Sequence, residues 1–350
     1  MSTQKALVIT GPGTAAVVND RPIPALRDDY LLIKTVSVAL NPTDWKHIEW
    51  FAVPGLLTGC DYAGIVEAVG KNVKKQFKKG DRVCGWAHGA NRVQPEDGAF
   101  AEYILAKGDL QLKIPDNISF QEAATFGVAI TTVAQSLYQS LKLALPTEPI
   151  PEPKPILIYG GSTATGTVAI QFAKLSGYTV LTTCSPHNFD LVRGLGADAV
   201  FDYRDPQAGA EIRKATNDKL KLVLDCIGGE TVAALADAAV SSEGGDYTTI
   251  AIGPEKPERA DINYGFTVGY TAVGEECFFV DQLIPAKPED LAHCVSFVAI
   301  AGKLIAQGKI KPHPLNVGKG GLHGVIEGLQ LMKADKVSGQ KLVYNIADTA

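Results

Sequence analysis

Strand-length runs of alternating or continuous apolar residues fill the first third of the chain. The clearest are residues 30–39 (YLLIKTVSVA), 62–69 (YAGIVEAV), 82–85 and 99–105. Gly80-Asp81, Gly108-Asp109 and Pro115-Asp116 punctuate them with turn chemistry. Short strands separated this regularly predict a compact, partly closed β-barrel. The rhythm changes after Ile118. Ser119 followed by Glu122 has the form of a capping box, predicting a helix that runs through an alanine-rich stretch towards Leu143. The proline-rich residues 145–155 (LPTEPIPEPKP) cannot extend that helix and predict an exposed connector. Beyond them strands at 156–159, 179–183, 199–201 and 222–225 alternate with helices at 165–176, 188–195 and 206–216. Such alternation predicts a parallel sheet covered on both faces. Helices at 289–307 and 322–333 and a strand at 341–346 close the chain. The expected class is α/β: a barrel-like domain over residues 1–125, a doubly wound parallel sheet over 126–284, and a return to the first domain over 285–350.

Composition narrows the roles. With 350 residues, 46% of them hydrophobic and 20% charged, the chain has the balance of a globular protein with two ordinary cores. A net charge of −5 disfavours a nucleic-acid partner, which would call for a basic excess. The first ten residues, MSTQKALVIT, lack a basic flank and a long apolar stretch, and no run approaches the roughly 18 apolar residues of a membrane span. Six scattered cysteines with no CxxC pair suit reduced thiols better than a disulfide framework. A cytoplasmic protein with no membrane partner is expected.

The join Ile156-Leu157-Ile158-Tyr159-Gly160-Gly161-Ser162-Thr163-Ala164-Thr165-Gly166 leads an apolar strand through small residues into a helix. A diphosphate needs open backbone N–H groups at a helix N-terminus, and only small residues let it approach. Ser162, Thr163, Ala164 and Thr165 are therefore candidate cofactor contacts. Thr163 and Ala164 depart from GxGxxG, so an ordinary tight turn is the alternative. The next strand ends at Cys184-Ser185-Pro186-His187-Asn188, where an NAD site places an acid against the adenosine ribose. No acid stands there. Ser185, Pro186, His187 and Asn188 offer nothing that repels an extra phosphate, and Tyr203 follows the third strand, so NADPH is favoured over NADH. Ser185-Pro186 also reads as a helix cap with proline at the first helical position, and both readings can hold.

Six ordered strings carry a wider likeness: Asn41-Pro42-Thr43-Asp44, Gly59-Cys60-Asp61-Tyr62-Ala63-Gly64-Ile65-Val66, Val69-Gly70, Gly80-Asp81-Arg82-Val83-Cys84-Gly85, Gly98-Ala99-Phe100-Ala101-Glu102-Tyr103, and the nucleotide turn. In these the chain resembles the medium-chain dehydrogenase/reductase superfamily over nearly its whole length, which implies a GroES-like barrel and a Rossmann domain. More narrowly, Asn41-Pro42-Thr43-Asp44-Trp45-Lys46, Tyr159–Thr165 read as YGGSTAT, Cys184–Asp190 read as CSPHNFD and Ser338–Val343 read as SGQKLV resemble the trans-acting enoyl reductases of fungal polyketide synthases.

Zinc alcohol dehydrogenases of that superfamily ligate their catalytic metal with a cysteine and a histidine at the positions held here by Asn41 and Cys60. Zinc needs about three placed protein ligands and an open position. One thiol between Gly59 and Asp61 does not supply them, and no cysteine cluster separates Gly85 from Gly98, so no metal is expected. The lone histidines His47, His88 and His313 read as core or surface groups.

Without a Lewis acid, an alkene conjugated to a carbonyl is an easier substrate than a bare ketone. The protein must orient hydride donor and alkene and place donors where charge develops. Lys46 is the candidate acid or donor, with an exposed helix lysine as the alternative. Thr132 is a second candidate catalytic group. Thr43, Asp44 and Trp45, with Lys46, are expected against the nicotinamide. Thr131, Thr132 and Ser136 are expected to line the substrate cleft, or simply to pack their helix. The resemblance further implies cofactor contacts at Ile250, Ala251, Lys336 and Val337. It also implies an acyl-binding wall at Gly269, Tyr270, Thr271, Ala272 and Val273, which reads equally as a core strand. The expected partner is a polyketide synthase, or a synthase–peptide synthetase hybrid, presenting an acyl thioester on its carrier domain to a monomer or homodimer. The lysine-rich residues 71–79 (KNVKKQFKK) are a candidate docking face or a solvated hairpin. A stand-alone quinone or alkenal reductase and a non-catalytic cofactor-binding scaffold are the alternative functions.

Overall fold

The computed structural model describes residues 2–253 and 255–350, which divide into two units. The first comprises residues 1–128, 270–307 and 312–350, and the second residues 129–269 and 308–311.

The first unit opens with an antiparallel hairpin, β1 (Thr3–Gly11) and β2 (Thr14–Pro22), not anticipated from the sequence. There follow β3 (Tyr30–Ala39), helix α1 (Pro42–Trp50), β4 (Asp61–Val69), β5 (Arg82–Trp86), β6 (Tyr103–Lys107) and β7 (Leu112–Lys113). The strand expected over 99–105 starts only at Tyr103, because Ala101 leaves the ladder to bridge Ala6 on β1. Leu31, Ile33, Tyr62, Val66, Phe100 and Ile104 form the centre of this unit's core.

The helix expected from Ser119 to Leu143 is broken in the structure. The capping box forms, with Ser119 N–H donating to Glu122 at 2.9 Å, yet α2 spans only Phe120–Ala123. The chain resumes as α3 (Gly127–Val133) and widens to a π-helix over Ala134–Ser140. A long-range bond explains the break: the Val128 N–H donates to Asp61 Oδ1 at 2.6 Å instead of to a carbonyl one turn back. Gly127 is also pressed so close to β5 that a Cβ on it would lie 2.1 Å from the Gly85 carbonyl oxygen.

The second unit is the doubly wound sheet. Its strands are β8 (Pro155–Tyr159), β9 (Thr179–Cys184), β10 (Ala199–Asp202), β11 (Leu222–Asp225), β12 (Gly245–Thr249) and β13 (Ile262–Phe266). They pair in parallel in the order β10-β9-β8-β11-β12-β13, with helices α4 (Ala164–Leu175), α5 (Phe189–Gly194), α6 (Ala208–Ala215) and α7 (Glu230–Ala239) between them. The reversal of strand order lies at β8, whose C-terminal end is where such sheets bind ligands.

Residues 269–273, readable as a strand, instead form a 3-10 turn. The return to the first unit begins at Tyr270, where 285 was expected. Three contacts draw the intervening residues there: Tyr30 O–H donates to Glu275 at 2.8 Å, Lys107 Nζ lies 2.7 Å from the same carboxylate, and Arg92 donates to the Val280 carbonyl at 3.1 Å. After β14 (Cys277–Phe279), β15 (Gln282–Ile284) and α8 (Pro288–Ala306) come β16 (Leu315–Val317), α9 (Gly321–Lys333) and β17 (Lys341–Asn345). The returning strands complete a seven-stranded sheet in the order β16-β17-β3-β4-β5-β7, with β6 also on β3. No helix among the described residues is long and apolar enough to cross a membrane.

Candidate functional site

In the second unit, β8 turns sharply into α4. Gly160 adopts a φ of +80°, and a Cβ on Gly161 would meet Thr182 Oγ1 at 2.0 Å, so both positions demand glycine. Thr163 caps the helix: its hydroxyl donates to the Gly160 carbonyl at 2.8 Å and accepts from the Gly166 N–H at 2.9 Å. The first helical N–H groups, those of Ala164 and Thr165, have no acceptor among the described residues. With the 12-residue helix dipole behind them, these groups fit a diphosphate. The tight turn and the helix N-terminus that could take a phosphate are thus one structure.

Past β9, Ser185 precedes a 3-10 turn over Pro186–Asn188, so the proline does sit in the first helical position. Ser185 is partly exposed and His187 exposed, while Asn188 is buried. Asp190 lies in the first turn of α5, 3.7 Å from Arg193, and Asp202 at the end of β10 is held by Arg204, with nitrogens at 2.9 and 2.8 Å from its two oxygens. Tyr203 packs edge-on against Tyr159 at 6.3 Å between ring centroids. Asp225, missed in the sequence, organises the neighbouring loop: one oxygen accepts from the Ile227 and Gly228 N–H groups, the other from Tyr247 and Thr249 hydroxyls. Ile250 N–H donates to the Asp225 carbonyl and Ala251 N–H to Thr249 Oγ1, both at 3.1 Å.

In the first unit, strand register assembles a buried polar triad. Ala39 pairs with Asp61 on one side and with Val343 on the other, so Asn41, Asp61 and Lys341 converge at one end of three adjacent strands. Lys341 Nζ donates to Asn41 Oδ1 at 2.8 Å and to Asp61 Oδ2 at 2.5 Å, and Asn41 Nδ2 donates to Asp61 Oδ2 at 2.9 Å. Lys341 is 2% and Asp61 0% exposed.

Asn41 also caps α1, where Pro42 takes the first helical position and Asp44 accepts from the Asn41 N–H at 2.7 Å. Burial pushes the Asp44 carboxyl up to about 7, opposed by that N–H bond. One turn of α1 then presents Thr43, His47 and Lys46. The Lys46 ammonium lies 5.4 Å from the Trp50 ring centroid and 5.8 Å from that of Trp45, and burial lowers its pKa. Among the described residues it makes no hydrogen bond or ion pair, so its N–H donors remain available. Neither the flat exposed lysine nor a paired one describes it.

Thr43 Oγ1 lies 2.5 Å from the Tyr270 hydroxyl and 3.2 Å from His47 Nδ1. The Tyr270 ring stacks on His88 at 4.3 Å and meets His47 edge-on at 5.6 Å, with Trp86 at 6.2 Å. Burial pushes the Cys60 thiol well above its usual range, with the Asp44 carboxylate adding to the shift, and drops His88 to about 3. Three buried polar atoms here have no hydrogen-bond partner among the described residues: Asp44 Oδ1, Trp86 Nε1 and His88 Nδ1. His47 and His88, read from the sequence as bland, thus flank the same tyrosine. The four-residue step from Thr43 to His47 on a helix was a usable signal; nothing in the sequence marks His88.

Of the remaining candidates, Thr132 is buried and a Cβ on Gly269 would lie 3.9 Å from its Oγ1. Thr131 and Ser136 are also buried, and Ser136 donates its hydroxyl to the Thr132 carbonyl at 2.7 Å. Thr271, Ala272 and Val273 turn inward, leaving Gly269 and Tyr270 partly exposed. Lys336 is exposed after α9, while Val337 packs on the first unit's core. The lysine-rich residues 71–79 are largely answered by the protein itself: Lys71 pairs with Asp28, Lys79 with Glu67, and Lys75 donates to the Gln111 carbonyl.

The residues at the superfamily's metal position do not fit zinc. Asn41 and Asp61 are committed to a buried ammonium, which leaves the Cys60 thiol without the two further ligands that zinc needs. No group of three His, Cys, Asp or Glu among the described residues could hold a metal ion. Purified protein should therefore lack stoichiometric zinc and keep full turnover in chelator. Elemental analysis finding zinc that turnover requires would overturn this.

Comparison with known proteins bears on family and fold. The alcohol dehydrogenase GroES-like domain matches residues 27–116 and the zinc-binding dehydrogenase domain residues 164–278. The trans-enoyl reductase TOXD of Cochliobolus carbonum is 60% identical over 81% of this chain and 95% of its own length. The trans-enoyl reductase ACTTS2 of Alternaria alternata is 47% identical over 99% of this chain and 100% of its own. Among solved structures, the CurK enoyl reductase superposes with a TM-score of 0.76 at 20% identity, covering 98% of this chain and 99% of that one, a likeness of fold.

Proposed function

Since the chain belongs to the trans-enoyl reductases of the medium-chain dehydrogenase/reductase superfamily, we propose that it reduces the α,β-double bond of a polyketide acyl thioester carried by a partner synthase. The observation that carries this reading is Lys46: a partly buried ammonium, supported by two indole rings and unpaired among the described residues, on the helix capped by Asn41, whose amide is taken by Lys341. An enoyl thioester needs a donor for its developing carbonyl oxyanion and no Lewis acid, and Lys46 supplies one.

NADPH, when bound, supplies the hydride for the β-carbon. The N–H groups of Ala164 and Thr165 hold its diphosphate, and Ser162 and Thr163 shape that turn. Ser185, Pro186, His187, Asn188 and Tyr203 hold the adenosine end, with Ile250, Ala251, Lys336 and Val337 as further contacts. Thr43, Asp44 and Trp45 support the nicotinamide end. Thr132, Ser136 and residues 269–273 bound the acyl chain.

The cofactor preference is measurable. No acid stands at Ser185–Asn188, and Asp202 is engaged by Arg204. Hydrogen bonds to a charged group contribute about 1.5–3 kcal/mol, so NADPH should bind about ten- to a hundredfold tighter than NADH. Ser185→Asp should erase most of that difference by weakening NADPH alone. Equal affinities for the two cofactors in the unaltered protein would sink the preference.

The reaction itself is tested by NADPH oxidation with an enoyl thioester on a carrier domain, followed by mass detection of a two-hydrogen gain. Turnover of free quinones only would instead make the protein a stand-alone quinone reductase. Cofactor binding without turnover of either would make it a scaffold.

A further inference from the structure

Lys46 accounts for the charge that develops on the thioester carbonyl, but the α-carbon must also gain a proton. We infer that Tyr270 is the catalytic acid that protonates the α-carbon, resupplied through Thr43 and His47. This rests on the enoyl reductase reading above.

Hydrogen-bond direction carries the assignment. His47 Nδ1 lies 2.8 Å from the Thr43 carbonyl oxygen, which can only accept, so Nδ1 bears the proton. The same N–H faces Thr43 Oγ1 at 3.2 Å. Accepting there, the Thr43 hydroxyl turns its own proton to the Tyr270 oxygen 2.5 Å away. Tyr270 then receives a hydrogen bond from Thr43 and turns its own O–H to the Cys60 sulfur, a weak acceptor that a substrate can displace. All three residues are partly exposed. The ring is fixed by stacking on His88 at 4.3 Å and by His47 edge-on, which a side chain serving only as apolar lining would not require. The groups facing it are Asp44, Cys60, His47 and His88; burial and the two acidic neighbours keep the phenol protonated, while burial keeps both imidazoles neutral.

The step balances. Hydride addition at the β-carbon moves the alkene electron pair to the α-carbon and carbonyl oxygen as an enolate. The Tyr270 O–H bond breaks as the α-carbon–H bond forms. The phenolate takes the Thr43 hydroxyl proton, Thr43 takes the His47 Nδ1 proton, and His47 gains one from water at Nε2, leaving a neutral ring of the other tautomer. One proton from water is consumed per alkene reduced.

The test uses the full chain with NADPH and a carrier-bound enoyl thioester in deuterium oxide. The unaltered protein should place deuterium on one face of the α-carbon. Tyr270→Phe should lower kcat about a hundred- to ten-thousandfold, the usual worth of a positioned acid. Its residual product should carry deuterium on both faces, because bulk water then protonates the enolate. NADPH affinity, read by fluorescence titration without turnover, should hold and so report a folded protein. Should Tyr270→Phe fail to fold, Thr43→Val must slow turnover and shrink the solvent isotope effect while Thr43→Ser restores both. Near-normal kcat or single-face labelling in Tyr270→Phe, or equal behaviour of the two Thr43 variants, overturns the acid assignment alone. An unaltered protein inert towards every enoyl thioester overturns the assignment together with the reading beneath it.

Discussion

Lys46→Ala is expected to lower turnover of an enoyl thioester by about two to three orders of magnitude, the usual loss when a donor to a developing oxyanion is removed. The ammonium has no competing partner among the described residues, so its N–H groups are already prepared for a carbonyl oxygen. Alanine is a good helix former, and Lys46 sits in the middle of α1, where its ammonium lies over the Trp45 and Trp50 rings. The variant should therefore fold normally, and its affinity for NADPH should change little beside the loss in kcat. Steady-state NADPH oxidation with an enoyl thioester decides the matter, with the affinity measured separately. Near-normal turnover would make Lys46 a bystander that merely covers two indole rings.

A second large effect concerns stability. Lys341→Met should destabilise the first unit by about 3–5 kcal/mol, because removing one partner of a buried ion pair leaves the other charge uncompensated. Asp61 would keep only the Asn41 amide and the Val128 N–H in a position that is 0% exposed. At about 2–4 °C per kcal/mol for a domain of this size, the melting transition should fall by about 6–20 °C. The double variant Lys341→Met with Asp61→Asn should lose less than the two single changes added together, since the pair acts as a unit. Calorimetry measures both. A Lys341→Met transition within 2 °C of the unaltered protein would show that water, not burial, surrounds the triad (a threshold set at about a tenth to a third of the expected shift).

A sequence alone already determines much of this protein. The strand-length apolar runs of residues 30–39, 62–69 and 156–159, the small-residue turn at Gly160-Gly161 and the alternation that follows are local patterns, and the structure keeps them as β3, β4, β8 and the doubly wound sheet. Asn41 through Lys46 stood out in the sequence only through the family resemblance; that Asn41 caps α1 with Pro42 in its first turn is what the structure adds. Pairing across the chain was not legible. Ser119–Leu143 carries every local mark of one helix, yet Asp61 takes the Val128 N–H and breaks it. Residues 269–273 carry the composition of a strand, but the pull of Glu275 and its neighbours on Tyr30, Arg92 and Lys107 leaves them no ladder to join. Lys341 and Asp61 lie 280 positions apart, and His88 and Tyr270 meet only through loops. Local propensity is decided by neighbours along the chain, whereas a buried charge or an orphaned N–H is satisfied by whatever partner the strand register brings within hydrogen-bond reach.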